Sequence, residues 1–352
     1  MSPSVSPYPL ISYTDGLEIQ EDLPAASGRK CIVHLDRIET DCLAEKIDDL
    51  LSAGGCAGII CNTVKKAQYL AEIMEMYFGT DQVRLLHSRY LSFARVQKEE
   101  ELRDLLGPGE EHRPERLIVV GTQVMEQSLD VDFDVLFTEI CPMDLLLQRI
   151  GRLHRHDRQN KRPEKLQEAC CYIMGIQGKL AFDDGCEAVY GKYLLLRTQA
   201  FLPKCIKLPD DIPRLVQQVY EKGYRDSIIE RLAQLEAMSL QDVENVYETA
   251  CSEYHNRIET KKNKARTYQI NTPLNQRYDL LGWLAAPLEE DRSGKRGEAT
   301  VRDSEESLEV LVICQKTDGF LYTVPWLPVH GDERIDDVPE EEMAKAIASC
   351  SL

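Results

Sequence analysis

Between residues 31 and 176 the chain alternates short apolar runs with longer segments that are apolar along one side only. The runs at 31–35, 57–61, 83–86, 117–120, 135–140 and 171–176 predict strands, being short, apolar and bounded by turn signals. Residues 41–52, 63–78, 93–106 and 143–153 predict helices. In the second of these, Ala67, Leu70, Ala71, Met74, Tyr77 and Phe78 fall on one face. The third is charged and ends at Gly107-Pro108-Gly109. Strands alternating with helices predict an α/β fold, a parallel sheet covered by helices on both faces. Such sheets bind ligands beyond the carboxyl ends of their strands. Those ends are followed here by Asn62-Thr63, His87-Ser88-Arg89, Gly121-Thr122-Gln123 and Glu139.

Beyond about residue 200 the alternation stops. Residues 215–235 and 240–262 predict helices, the second with a packing stripe of Val243, Val246, Ala250, Tyr254 and Ile258. Runs at 310–313 and 320–324 flank Thr317-Asp318-Gly319 and predict a β-hairpin, and 340–349 predicts a closing helix. The organisation expected is a Ser/Pro-rich linker at 1–28, an α/β lobe at 29–200, a helical linker at 201–270 and a small α+β domain at 271–352.

Composition narrows the classes. No apolar run reaches about 18 residues, so no membrane span is expected. The start, Met1-Ser-Pro-Ser-Val-Ser-Pro, lacks the basic and apolar regions of a signal peptide, and a cytoplasmic location is expected. The 12 cysteines include no Cys-x-x-Cys pair, which predicts reduced thiols rather than a zinc site. The net charge of −18 argues against nucleic acid, but charge acts locally. Arg149, Arg152, Arg155, Arg158, Lys161, Arg162 and Lys165 follow one another within a single stretch, whereas the acidic runs lie mostly beyond residue 288.

Two stretches carry chemistry. In Gln148-Arg149-Ile150-Gly151-Arg152-Leu153-His154-Arg155, a continuous helix would put Gln148, Arg152 and Arg155 on one face. Guanidinium groups bind phosphate oxygens bidentately and stay charged. Aimed at a γ-phosphate across an interface, one acts as an arginine finger, with an effect on the order of 10³–10⁵ in rate. A solvated basic helix end would read the same way. In the second stretch, residues 119–132, a strand runs into Gly121 and Thr122, presenting a hydroxyl and backbone N–H groups at the sheet edge. A capping threonine would also fit.

Together the stretches are more specific. Residues 121–132 (G-T-Q-V-M-E-Q-S-L-D-V-D) and 148–155 (Q-R-I-G-R-L-H-R) resemble motifs V and VI of superfamily 2 helicases. They are most similar to the helicase–nuclease of type I CRISPR systems. Asn62-Thr63 resembles motif IV, Leu86-His87-Ser88-Arg89 the segment after the next strand, and 144–148 the lead into motif VI. Tyr8-Pro9-Leu10-Ile11 resembles the segment after motif III, and 299–302 with 308–313 the C-terminal domain. The resemblance spans nearly the whole chain, most specifically 118–156.

It implies a second RecA-like lobe followed by a C-terminal domain. Gln148, Arg152 and Arg155 would meet the ATP phosphates, with Asp130, Asp132 and Gly151 organising the nucleotide interface. Asn62, Thr63, His87, Ser88, Thr122 and Gln123 would touch a single-strand backbone. The implied cofactors are ATP and Mg²⁺, shared with a first lobe. The implied partners are single-stranded DNA, a first RecA-like lobe with its nuclease half in trans, and the CRISPR guide-RNA surveillance complex; no membrane is implied.

A first lobe carries Gly-x-x-x-x-Gly-Lys-Ser/Thr and an Asp-Glu pair. Gly178-Lys179 and Gly294-Lys295 lack the rest of that pattern, and Asp332-Glu333 follows no strand. His156-Asp157 is the one His-Asp doublet, and neither a metal site nor nuclease activity is expected from it. The expectation is a motor lobe with no ATPase activity alone. The chain would start just after a first lobe, as a split-gene product, a frameshift fragment or a stand-alone subunit. The alternative functions are a non-enzymatic module that binds single strands or the guide complex, and an inactive gene fragment.

Overall fold

The computed structural model describes residues 9–14, 16, 18–24, 28, 30–90, 92–109, 111–126, 129–158, 161–267, 313–315 and 321–323. The chain divides into two units, Met1–Tyr254 and His255–Leu352. In the first, strands β1 (Ile11–Thr14) and β2 (Ile19–Asp22) form an antiparallel hairpin within the stretch expected to be a linker. The alternating region follows: β3 (Cys31–Arg37), α1 (Leu43–Leu50), β4 (Gly55–Ile60), α2 (Val64–Phe78), β5 (Val83–Leu86), α3 (Ser92–Leu106), β6 (Arg116–Gly121), β7 (Val135–Glu139), α4 (Met143–Ile150) and β8 (Ala169–Met174).

A small ribbon of β9 (Ile176–Gly178) and β10 (Ala181–Phe182) leads into α5 (Asp184–Tyr190) and α6 (Lys192–Phe201). Then come β11 (Cys205–Leu208), α7 (Ile212–Tyr220), α8 (Arg225–Glu236) and α9 (Leu240–Thr267). The seven-stranded sheet has the order β11-β3-β8-β7-β4-β6-β5, parallel throughout except for β11 at its edge. This is the expected α/β architecture, of RecA-like type. Its seventh strand lies beyond residue 200, where the sequence reading ends the lobe.

The pleat sorts the strands' side chains between two cores. Ala57, Ile59 and Cys61 join Ile118, Val120, Val135 and Phe137 against α1 and α2. Cys56, Ile60, Leu117, Val119 and Leu136 join the apolar faces of α3, α4, α6, α7 and α8. Burying a parallel sheet on both faces is what makes its strands read as unbroken apolar runs. On α2 the buried positions are Ala67, Leu70, Ala71 and Met74, whereas Tyr77 is exposed, contrary to its expected place on the packed face.

The helix expected over 215–235 is two helices, α7 and α8, separated by a 3₁₀ turn at Lys222–Tyr224. Gly54 and Gly55 open β4 with φ of 90° and 118°, a left-handed backbone that glycine adopts without steric cost. In the second unit, β12 (Ile313–Gln315) pairs antiparallel with β13 (Leu321–Thr323); the second strand falls within the run expected at 320–324, whereas the first shares only Ile313 with the run expected at 310–313. The helix expected at 340–349 lies outside the described residues.

No helix among the described residues is long and apolar enough to cross a membrane. Among the described residues ten cysteines are free, and burial pushes the thiols of Cys56 and Cys141 up to about 12. Such thiols are unreactive packing groups.

Candidate functional site

Register places Leu86, Gly121, Ile60 and Thr138 in one row across β5, β6, β4 and β7. The residues that follow this row therefore meet at the carboxyl edge, as the fold class requires. Thr63 caps α2, its side chain accepting from the Lys66 N–H at 3.2 Å. Thr122 is buried, and its N–H donates to the Leu86 carbonyl at 3.2 Å. Before it, Gly121 is packed so closely that a Cβ would lie 2.8 Å from the Leu86 carbonyl oxygen. Gln123 donates through Nε2 to the Asn62 carbonyl at 2.8 Å and to the Tyr190 hydroxyl at 3.2 Å.

Asn62 is 3% exposed. Its N–H donates to a Glu139 carboxylate oxygen at 2.5 Å and its Nδ2 to the Ile140 carbonyl at 2.9 Å, while its Oδ1 accepts from Arg149 at 2.9 Å. His87 is also buried, its ring stacked on Tyr90 with centroids 4.2 Å apart. Its Nδ1 accepts the Arg89 N–H at 3.2 Å, and burial, ahead of nearby positive charge, lowers its pKa. Ser88 beside it is exposed.

The arginine stretch departs from expectation. The helix predicted over 143–153 ends at Ile150, and Gly151 closes it with an N–H to the Leu147 carbonyl at 3.0 Å. The chain then runs beside β7: Leu153 bridges Phe133, and His154 takes a left-handed φ of 47°. Gln148 is thus helical and exposed, while Arg152 and Arg155 stand on the following turn and not on a common helical face. The helix stops because the segment satisfies its backbone against the start of β7. The Phe133 N–H donates to the Arg152 carbonyl at 2.9 Å, and the His154 N–H to the Phe133 carbonyl at 3.0 Å.

Arg149 is 0% exposed and is the hub of the site. It pairs with the Glu126 carboxylate at 2.7 Å and donates to the Thr138 hydroxyl at 2.7 Å, the Glu139 carbonyl at 3.0 Å, Asn62 Oδ1 at 2.9 Å and the Tyr190 hydroxyl at 3.0 Å. Five donors in one planar fork suit this residue and no other. Sequence reading placed Arg149 in the basic run without a role. The available signal was its position three residues after Leu146, on the apolar side of α4.

Glu126 takes Arg149 on its carboxylate and Arg152 on its backbone carbonyl, the latter at 2.7 Å. Arg152 also donates to the Met125 carbonyl at 3.3 Å. Burial first, and the Arg155 charge second, lower its pKa. It uses Nε and one terminal nitrogen in these contacts, which leaves donors suited to a phosphate.

Arg155 is only partly buried and donates to Asp130 at 2.5 Å; this bond lowers the Asp130 pKa. Asp132, by contrast, is 0% exposed. It accepts from Arg158 at 2.6 Å, from Arg162 at 2.8 Å and 2.9 Å, and from the Arg155 N–H at 2.7 Å. Asp134 beside it pairs with Arg113 at 2.8 Å and with Arg162. Asp132 therefore anchors the loop that carries Arg155, facing inward. Arg113 and Asp134, which sequence reading passed over, complete this anchor. Among the described residues no group of three or more His, Cys, Asp or Glu is arranged to hold a metal ion.

Residues 53–158 match the family model described as CRISPR-associated nuclease/helicase Cas3, C-terminal. A Streptococcus thermophilus CRISPR-associated nuclease/helicase Cas3 is 39% identical over 99% of this chain and 36% of its own length. A Thermus thermophilus CRISPR-associated endonuclease/helicase Cas3 is 30% identical over 67% of this chain and 30% of its own. The chain belongs to the Cas3 family. Its matches lie in the C-terminal part of Cas3, and it spans about a third of the length of these two relatives.

Solved structures agree. One titled as a CRISPR-associated protein superposes with a TM-score of 0.65 at 31% identity, covering 75% of this chain and 29% of that one. T. fusca Cas3 with AMPPNP superposes with a TM-score of 0.57 at 29% identity, covering 70% of this chain and 31% of that one.

Proposed function

We propose that this chain is the second motor lobe of an ATP-dependent single-strand DNA translocase in type I CRISPR defence, completed by a first RecA-like lobe. The observation that carries the reading is the Arg149–Glu126–Arg152 linkage, which ties the carboxyl-edge residues to the candidate finger. Family membership supports the same reading.

In this reading Thr63, Gln123 and Ser88 contact the strand, since they lie at the edge and are partly or fully exposed. Asn62, His87 and Thr122 are buried there and hold the edge in shape. Gln148 and Arg152 face ATP, whose magnesium and phosphate loop the first lobe supplies. Bound ATP provides phosphoryl transfer to water. Arg152 stabilises the charge that develops on the transferred group, as a fixed donor that needs no reorganisation. Arg149 keeps Glu126 in place, and Glu126 orients Arg152. Movement of the strand edge and of the finger is thereby one movement. Association with the guide-RNA surveillance complex belongs to the same proposal.

The test is ATP hydrolysis with single-stranded DNA. The chain is assayed alone, then mixed with the part of the Streptococcus thermophilus relative that lies outside the match. Hydrolysis in the mixture alone supports a motor lobe. Strand binding with no gain in hydrolysis favours a non-enzymatic binding module instead.

A further inference from the structure

Thr63, Lys65 and Tyr69 line one side of a cleft of about 740 Å³ beside the carboxyl edge, with Gln177, Asp183 and Asp184 on the other side. Lys65 and Tyr69 are four residues apart on α2, so they are neighbours on one helical face. Both are exposed, Tyr69 at 54%. The core does not call for that ring, because α2 packs through Ala67, Leu70, Ala71 and Met74. An exposed aromatic ring beside a cation is the pairing that single-strand binders use, with bases stacking on the ring and the cation tracking the backbone.

The acids in the cleft do not oppose this. Asp183 is 3.5 Å from the Lys66 ammonium and accepts from Gln177 Nε2 at 2.8 Å. Glu139 accepts from the Asn62 N–H, and burial holds its carboxyl above the usual range. Asp184 is the exposed acid, across the cleft from Lys65. Thr63 makes the cleft continuous with the edge to which strand contact is already ascribed.

We infer that Tyr69 is a stacking platform for an unpaired base of single-stranded nucleic acid, with Lys65 holding the adjoining phosphate. The inference rests on the strand-gripping reading of this edge and extends it by one helical turn. Only an unstacked base can offer its face to Tyr69, so the cleft selects single strands over duplex and is tolerant of sequence.

The test is fluorescence anisotropy of a labelled single-stranded oligodeoxynucleotide titrated with the full chain at several salt concentrations. Wild type is compared with Tyr69→Ala, Tyr69→Phe and Lys65→Gln, each checked by its thermal melt. Tyr69→Ala weakens binding roughly 5- to 150-fold, the range for loss of one stacked base, and Tyr69→Phe binds as wild type. Lys65→Gln lowers the slope of log affinity against log salt by about 0.7, one single-strand phosphate contact. Normal binding by a well-folded Tyr69→Ala overturns the stacking role and leaves strand gripping intact. An equal loss in Tyr69→Phe overturns it in favour of a hydroxyl contact. No binding by wild type overturns both the platform and the reading beneath it.

Discussion

Arg149 and Glu126 meet at 2.7 Å, with side chains 0% and 3% exposed, and join the strand edge of the lobe to its arginine turn. Breaking a buried pair leaves a charge without its partner and costs about 3–5 kcal/mol. Arg149→Ala strands the Glu126 carboxylate and Asn62 Oδ1 together, while the Thr138 hydroxyl keeps its bond to the Glu139 carbonyl at 3.0 Å. Chemical denaturation should place its loss at or above that range. Arg149→Lys keeps the charge but not the planar fork, and falls between Ala and wild type.

Asp132 gives the lobe a defined acid sensitivity. Its folded pKa lies below the ordinary 3.8: burial pushes it up, but Arg162 and Arg158 outweigh that. A depressed carboxyl contributes stability that is complete above the unfolded value and is lost as pH falls through the folded one. Unfolding free energy followed by denaturant titration should therefore drop as pH falls below about 3.8, the unfolded value. Asp132→Asn should be less stable at neutral pH and show a shallower drop. Equal pH profiles for the two proteins would remove Asp132 from the anchor.

His87 should titrate low. Burial favours its neutral form, so the folded pKa lies below 6.5 and the stability it contributes is lost as pH falls through that region. The histidine C–H proton resonance, assigned by its absence in His87→Gln, should show a midpoint below 6.5. A midpoint above that value would mean the ring carries charge and meets a strand as a cation.

Gly121 is held by contact. An added Cβ would fall 2.1 Å from Met125 Sδ and 2.8 Å from the Leu86 carbonyl oxygen. The thioether can swing away, but the backbone oxygen is fixed by the β5–β6 ladder. Gly121→Ala should cost about 1–3 kcal/mol in unfolding free energy, the range for overpacking. A change near zero would mean that the edge is looser than this packing implies.

The sheet was legible because a parallel strand buried on both faces is a continuous apolar run, as in β4, β6 and β7. The carboxyl-edge positions followed from that alone, and the arginine stretch stood out by its composition and spacing, though as a continuous helix that in fact ends at Ile150. Three things were not legible. Edge strand β11 reads Cys-Ile-Lys-Leu, too short and too polar to stand out. Helices α7 and α8 share an amphipathic rhythm that hides the turn at Lys222–Tyr224. The inward arginines look like outward ones: Arg149, Arg158 and Arg162 differ from Arg155 only in which acids the fold brings to them. The basic run is thus mixed: Arg149, Arg158 and Arg162 are buried scaffolding, Arg152 and Arg155 are half-buried, and Lys161 and Lys165 are exposed.

The account turns on Arg152. Its guanidinium rests on the Met125 and Glu126 carbonyls, so Arg152→Ala should cost about 1–3 kcal/mol, the range for acceptors left unpaired, and still fold. The decisive measurement is the rate of ATP hydrolysis by this variant in the mixture with the complementary part of the Streptococcus thermophilus relative and single-stranded DNA. The account predicts a fall on the order of 10³-fold or more with strand binding retained. Hydrolysis at the wild-type rate, or hydrolysis by this chain with no first lobe present, would contradict it.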